Sequence, residues 1–330
     1  MPAGHQVRPD VVCVGETMVM LTPVVPAPLA DRPRLTMEVG GAESNVASGM
    51  AQLGHHAAWL GRVGADPFGR IILDTLTAHG VDVGDVEVDP ERPTGLYLKD
   101  PGVGRSTVHY YRKGSAAAAM GPAFAEVVMA RGAGLIHLSG ITPVLSPSCA
   151  ALVDRLLAGR RAPGGPLVSF DINYRPALWE PAHAAATLLP LAGRADVVLT
   201  GRDEAETLWG TATPDDIRAL LPDVPCLVIK DAEHGATCYE GDERTFVPAL
   251  RIDVVEPVGA GDAFAAGFLS GHIGGRSARN RLRLGHITAA AALGCVGDLA
   301  VFPPPAARER MLAAADEHWP GMRLAAPAVD

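Results

Sequence analysis

Apolar and polar positions alternate in blocks along this chain. Val11–Val14 is an unbroken apolar run, rich in β-branched side chains and ended by Gly15, which predicts a buried strand. The stretch 19–25 is also strand-like, but Pro23, Pro26 and Pro28 confine it to an edge or an excursion. After Gly40 and Gly41, residues 42–53 set Val46, Met50 and Leu53 at helical spacing, and Gly54 supplies the stop. The same grammar returns as a strand over 57–63 and a helix over 68–79 closed by Gly80. Tyr97 with Leu98, and then 108–112, predict two strands around a glycine-containing turn at 101–105. Buried strands are predicted at 135–138, 167–171, 197–199 and 226–229, with helices at 149–157, 183–191, 204–209 and 215–221 separating them. Long helices over 259–270 and 279–293 follow, and beyond Pro303, Pro304 and Pro305 the Ala-rich remainder reads as a surface helix.

Strand and helix in alternation over this length mean βαβ units and a mostly parallel sheet covered on both faces. The strand pairs around 17–38 and 94–115 interrupt the alternation, so they are candidates for a small sheet standing off the main body. No internal repeat or low-complexity linker divides the chain, which reads as one α/β domain over 9–320 with that small sheet inserted.

Composition narrows the function classes. The 330 residues are 48% hydrophobic but only 5% aromatic, so a sizeable core must rest on Ala, Val and Leu. A net charge of -9 argues against wide nucleic-acid contacts, which need a basic face. Lysine occurs only at Lys99, Lys113 and Lys230. The five cysteines, at 13, 149, 226, 238 and 295, are odd in number with no C-x-x-C spacing, and they read as buried free thiols. Residues 1–9 lack an apolar signal-peptide core and no run of about 18 apolar residues exists, so no membrane contact and a cytoplasmic location are expected.

The stretch Glu256-Pro257-Val258-Gly259-Ala260-Gly261-Asp262-Ala263-Phe264 carries the candidate chemistry. Small residues let a backbone fold tightly and turn its N–H groups outward, and a helix N-terminus adds a positive dipole. Such a turn holds an anion, and a carboxylate one step further could take a proton from a hydroxyl attacking phosphorus. Taken alone, the stretch is equally readable as a glycine-rich turn with Asp262 as helix cap. Standard phosphate loops do not fit. Phe264 stands where a G-x-G-x-x-G pattern needs its third glycine, and the nearest Walker-like run, from Gly64 to Ile71, lacks the lysine and the hydroxyl.

With three phrases in order, the chain resembles the PfkB, or ribokinase-like, carbohydrate kinases over roughly residues 10–305. The phrases are Gly40-Gly41-Ala42-Glu43-Ser44-Asn45-Val46-Ala47, then Gly61-Arg62-Val63-Gly64-Ala65-Asp66-Pro67-Phe68-Gly69 with Gly80-Val81-Asp82, and finally Gly259-Ala260-Gly261-Asp262. The resemblance implies a three-layer sandwich with a mostly parallel central sheet and a small β-sheet lid. It implies ATP and Mg²⁺ as cofactors, the metal arriving with the nucleotide rather than on direct protein ligands. Asp262 would be the catalytic base, and the backbone of Gly259, Ala260 and Gly261 the anion hole. Gly40, Gly41 and Asn45 would bind the acceptor, and Asn173, Glu204, Lys230 and Gly235 the nucleotide. The chain departs from the family pattern at Glu256, usually Asp or Asn, at Gly201, where N-x-x-E has its Asn, and at Ala232, the usual middle glycine of the nucleotide loop.

Two further phrases resemble the 2-keto-3-deoxygluconate kinase branch. They are Thr94–Leu98 with Tyr110-Tyr111-Arg112-Lys113-Gly114-Ser115, and Asp171-Ile172-Asn173-Tyr174-Arg175-Pro176-Ala177-Leu178-Trp179. The aspartate that neutral-sugar members carry after the first strand falls on Met20 here. Arg112 and Arg175 would match a sugar-acid carboxylate, while Tyr97 and Tyr110 would offer hydroxyls and ring faces. The implied reaction is phosphorylation of the acid's terminal hydroxyl by ATP. Alternatives are a sugar-phosphate or neutral-ketose acceptor such as fructose, and, in a different class, a non-catalytic sugar sensor. The sequence leaves the oligomeric state open; a homo-oligomer, if formed, would pair through the lid sheet.

Overall fold

A computed structural model describes residues 8–100, 107–159, 164–295 and 300–324. The chain opens with β1 (Val11–Val14), β2 (Met18–Pro23) and β3 (Leu35–Gly40), then α1 (Ala42–Gln52), β4 (Ala57–Leu60), β5 (Arg62–Gly64) and α2 (Pro67–Ala78). Next come β6 (Glu87–Asp89), β7 (Leu96–Asp100), β8 (Thr107–Tyr111), α3 (Phe124–Ala130), β9 (Leu135–Ser139) and α4 (Pro147–Gly159). They are followed by β10 (Leu167–Asp171), α5 (Pro181–Ala192), β11 (Val197–Gly201), α6 (Arg202–Trp209), α7 (Pro214–Leu220) and β12 (Cys226–Asp231). The chain finishes with β13 (Gly235–Glu240), β14 (Glu243–Val247), α8 (Ala260–Ile273), α9 (Ala278–Leu293) and α10 (Pro305–Leu312).

Eight strands form the central sheet in the order β14-β13-β12-β11-β10-β9-β1-β4, parallel from β12 to β4 and antiparallel at the β13–β14 edge. The period of two along β1 assigns its sides: Val12 and Val14 enter one core with α3–α7, whereas Val11 and Cys13 enter the other with α1, α2 and α8–α10. That strand is buried on both faces and so reads as one apolar run rather than an alternation. The lid is a separate four-stranded sheet, β3-β2-β7-β8, joining the two segments that interrupted the βα alternation. The turn expected at 101–105 lies outside the described residues.

Several expectations need correction. The strand over 57–63 breaks at Gly61, and β5 leaves the central sheet to pair with the short β6. The β13–β14 hairpin was not anticipated, although Gly241-Asp242 between its strands is a two-residue turn signal. The segment beyond Pro305 is not simply a surface helix. Arg308, Met311 and Leu312 are buried in α10, and Trp319 beyond it is 1% exposed against the core. Its sequence hides this because Arg308, Glu309 and Arg310 stand consecutively, so the charges spread round the helix instead of marking one solvent face. Four of the five cysteines are buried, all five are free, and Cys295 is half-buried.

Candidate active site

The parallel strands deliver their C-terminal ends to one edge of the sheet, where an open α/β sheet places its ligand crevice. Glu16 follows β1, Asp171 ends β10, Gly201 ends β11 and Lys230 lies at the end of β12. The lid faces this edge across a cleft of about 930 Å³. Every residue singled out from the sequence lines that cleft: Gly40, Gly41, Asn45, Tyr97, Tyr110, Arg112, Asn173, Arg175, Glu204, Lys230, Gly235, Gly259, Ala260, Gly261 and Asp262.

At its floor, α8 begins with Gly259 as N-cap at φ 81°, a left-handed conformation that glycine adopts without a Cβ penalty. The first N–H groups of a helix have no intrahelical acceptor, so those of Gly261 and Asp262 are free for an anion. Asp262 itself is buried, and Asn45 of α1 donates from Nδ2 to its Oδ2 at 2.9 Å. Burial pushes the Asp262 carboxyl up to about 7, against the pull of the Asn45 hydrogen bond and the Arg175 charge. Gly41, just before α1, lies so close to the backbone after β1 that a Cβ would stand 2.5 Å from the Glu16 carbonyl oxygen.

Beside this floor lies a charged cluster. Lys230 Nζ donates to Asp171 Oδ2 at 2.8 Å. Burial works against the Lys230 charge, but Asp171 and Glu204 outweigh it and hold its pKa above the ordinary value. Glu204 accepts from the Gly201 N–H at 2.6 Å and the Tyr174 N–H at 2.9 Å. Burial raises its pKa, while Lys230 opposes the rise. Both Glu204 oxygens therefore fix the backbone around the cleft. Asn173 sits at φ 42° with a buried Oδ1 that has no partner among the described residues, a polar atom left for a ligand or its hydrated ion. Ala232 takes φ 43°, the left-handed turn its glycine counterpart would favour. Gly235 lies at φ 142°.

On the lid, Tyr97 and Tyr110 are cross-strand partners with ring centroids 5.7 Å apart. The Arg112 guanidinium lies 5.6 Å from the Tyr110 ring, with Nε 2.7 Å from Glu16 Oε2 and Nη2 on the same carboxylate. One edge of Arg112 is therefore already taken, and the fork expected for an acceptor carboxylate is only half available. Arg175, by contrast, is exposed and makes no ion pair with any described residue; its hydrogen bond goes to the Tyr174 carbonyl at 3.4 Å. Met20 is buried in the lid's own apolar cluster. Sequence reasoning missed Glu16, the acid that lines the cleft at that end. Its position directly after a parallel strand was the available signal. Asp171 and Lys99 were also missed; Lys99 Nζ lies 3.6 Å from Glu256 Oε2. Among the described residues, no group of three His, Cys, Asp or Glu side chains could cage a metal, and no helix is long and apolar enough to cross a membrane.

With this geometry in hand, the chain can be set beside known proteins. The pfkB family carbohydrate kinase description matches residues 8–304. The 2-dehydro-3-deoxygluconokinase of Thermoproteus tenax is 35% identical over 314 residues, covering 92% of this chain and 94% of that protein. The 2-dehydro-3-deoxygluconokinase of Bacillus subtilis (strain 168) is 36% identical over 300 residues, covering 89% and 92%. Among solved structures, a PfkB protein from Polaromonas sp. JS666 superposes with a TM-score of 0.80 at 32% identity, over 93% of this chain and 100% of that one.

Proposed function

The chain belongs to the pfkB family of carbohydrate kinases, and from that premise we propose that it moves a phosphoryl group from ATP to the terminal hydroxyl of 2-keto-3-deoxygluconate. One observation carries the reading. A buried carboxylate with a raised pKa stands at a glycine-rich helix start, in the same cleft as an arginine that pairs with no carboxylate among the described residues.

Phosphoryl transfer asks a protein mainly for positioning and charge stabilisation. Asp262 takes the proton of the attacking hydroxyl. Its elevated pKa suits it to that task near neutral pH, and Asn45 fixes which of its oxygens faces the acceptor. The free N–H groups of Gly261 and Asp262, at the turn that Gly259 and Ala260 make, receive the moving phosphoryl group. Lys230 and Asn173 lie toward the nucleotide, with Glu204 and Gly235 shaping the backbone there. Mg²⁺ bound with ATP would supply screening of the phosphate charge, and the Asn173 Oδ1, without a partner among the described residues, would accept from its hydration shell. Arg175 takes the acceptor's carboxylate, and Tyr97 and Tyr110 line its chain. Gly40 and Gly41 let the acceptor approach the backbone. The lid keeps water from the phosphoryl group. A cytoplasmic location, where ATP is plentiful, goes with this reading.

The test is ADP release with MgATP across 2-keto-3-deoxygluconate, its galactonate-derived epimer, fructose, ribose and fructose 6-phosphate. Turnover led by a keto-deoxy acid supports the assignment, and preference for a neutral or phosphorylated sugar discards the acceptor. Arg175→Ala is expected to raise the acceptor KM strongly and leave the ATP KM nearly unchanged; equal effects on both would count against the carboxylate assignment.

We also propose that two copies pack through the lid. Leu35, Met37 and Tyr111 are exposed on its outer face, 40%, 55% and 64% respectively. Met37→Glu should shift sedimentation from dimer toward monomer; a wild-type chain that already sediments as a monomer ends that idea.

A further inference from the structure

Five lysines and arginines line the cleft; Lys230 lies at the end of β12 and Arg251 follows β14, on the side assigned to the nucleotide, which leaves three on the acceptor side: Lys99, Arg112 and Arg175. Two have carboxylate partners within the chain. Lys99 faces Glu256 at 3.6 Å, and Arg112 is gripped by Glu16 through Nε and Nη2. The Glu16 side chain is fully buried, and Ser115 donates from Oγ to its other oxygen at 2.7 Å. Both Glu16 oxygens are thus satisfied, and no solvent stands between that carboxylate and the guanidinium. Arg175 makes no ion pair with any described residue.

A buried carboxylate held against an arginine does two things to a ligand. It removes most of the arginine's net charge while leaving the remaining N–H groups as donors, here Nη1. It also sets a fixed negative charge behind that arginine, which repels further charge on the ligand in a site of low polarity. We infer that Glu16 determines the charge of acceptor the cleft takes: by neutralising Arg112 from beneath, it leaves Arg175 as the acceptor-side cation with no ion-pair partner among the described residues and admits a monoanionic carboxylate while rejecting a phosphate dianion. The inference rests on the sugar-acid reading and explains how a pocket with two arginines discriminates against sugar phosphates. Hydrogen-bonding groups alone do not achieve this, since an arginine pair free of Glu16 would suit a dianion better than a carboxylate.

The experiment compares wild type, Glu16→Gln and Glu16→Asp on the keto acid, a ketose 1-phosphate and the neutral ketose, with MgATP. Gln is isosteric and keeps hydrogen bonds to Arg112 and Ser115 but removes the charge. Asp keeps the charge and shortens the reach. In Glu16→Gln, kcat/KM for the phosphate ester relative to the keto acid is expected to rise about tenfold or more, with the ATP KM unchanged. In Glu16→Asp that ratio should stay close to wild type even where both values fall. An unmoved ratio in Glu16→Gln, an equal rise in Glu16→Asp, or an equal gain for the neutral ketose overturns the inference, because each points to a packing role. Should Glu16→Gln fail to fold, inhibition of the unmodified protein decides the matter. A ketose 1-sulfate, a monoanion of the same shape, should inhibit about tenfold or more better than the 1-phosphate. Equal inhibition, or none by either ester, overturns it. Wild type that ignores the keto acid would instead sink the acceptor assignment, whereas wild type that uses it with the ratios unmoved sinks only the role of Glu16.

Discussion

At Asp262 two demands oppose each other. Burial lifts its carboxyl to about 7, which suits a base working near neutrality but makes its ionised form costly to fold around. The group holds its proton more tightly folded than unfolded. Its stabilising contribution is therefore full below its ordinary value of 3.8 and is lost as pH rises through 7. Asp262→Asn removes that loss. The variant should be more stable than wild type at pH 8, by on the order of 4 kcal/mol at most, and equal to it near pH 3.8 by urea denaturation. Its kcat should fall by about 10²–10⁴. Near-normal turnover would end the base assignment, and equal stability at pH 8 would end the account of its burial. Asn45→Ala removes the hydrogen bond that pulls the Asp262 pKa down, so the acid limb of the pH–rate profile should move to higher pH. An unmoved limb would mean that Asn45 does not tune the carboxylate.

Between elements, the contact that stands out joins the lid to the floor. Lys99 of β7 reaches Glu256 in the segment leading to α8, with side chains 11% and 27% exposed. That partly sheltered pair links the strand carrying Tyr97 to the loop carrying the proposed anion hole. A double-mutant cycle of Lys99→Met and Glu256→Gln on kcat/KM should be non-additive by about 0.5–3 kcal/mol. Strict additivity would show that lid and loop act independently. The floor itself is well held. The Thr288 hydroxyl of α9 donates to the Ala263 carbonyl of α8 at 2.7 Å, and nearly every residue of α8 past Gly261 is buried, so the helix start is anchored from behind.

Across the whole molecule, the sheet separates two cores, and the cleft-bearing helices α1 and α8 both belong to the one that Trp319 closes. Trp319 donates from Nε1 to the Pro248 carbonyl at 2.8 Å and has the Arg283 guanidinium 4.7 Å from its ring. Trp319→Ala should destabilise the chain by about 3–5 kcal/mol in chemical denaturation, with little change in acceptor specificity. A loss well under 1 kcal/mol would show that the tail is dispensable to the core.

Although the β5–β6 pair and the β13–β14 hairpin escape such a reading, most of the alternation of strands and helices, the interruption by two lid segments, and the small-residue turn before Asp262 could be read along the chain. They depend on local periodicity and on the freedom of glycine, which neighbouring residues alone dictate. The resemblance then named the side chains of the cleft, and they do converge. What the sequence could not disclose is which charges meet. Glu16 and Arg112 are 96 residues apart, Lys230 and Asp171 are 59 apart, and Asn45 and Asp262 are 217 apart. Only the parallel sheet and the folded lid bring them into contact. An arginine read along the chain is simply a cation, and whether it is free to hold a ligand depends on the carboxylate that folding sets beside it. Arg112 and Arg175 looked alike in sequence, and tertiary structure paired the first with a buried acid and left the second open.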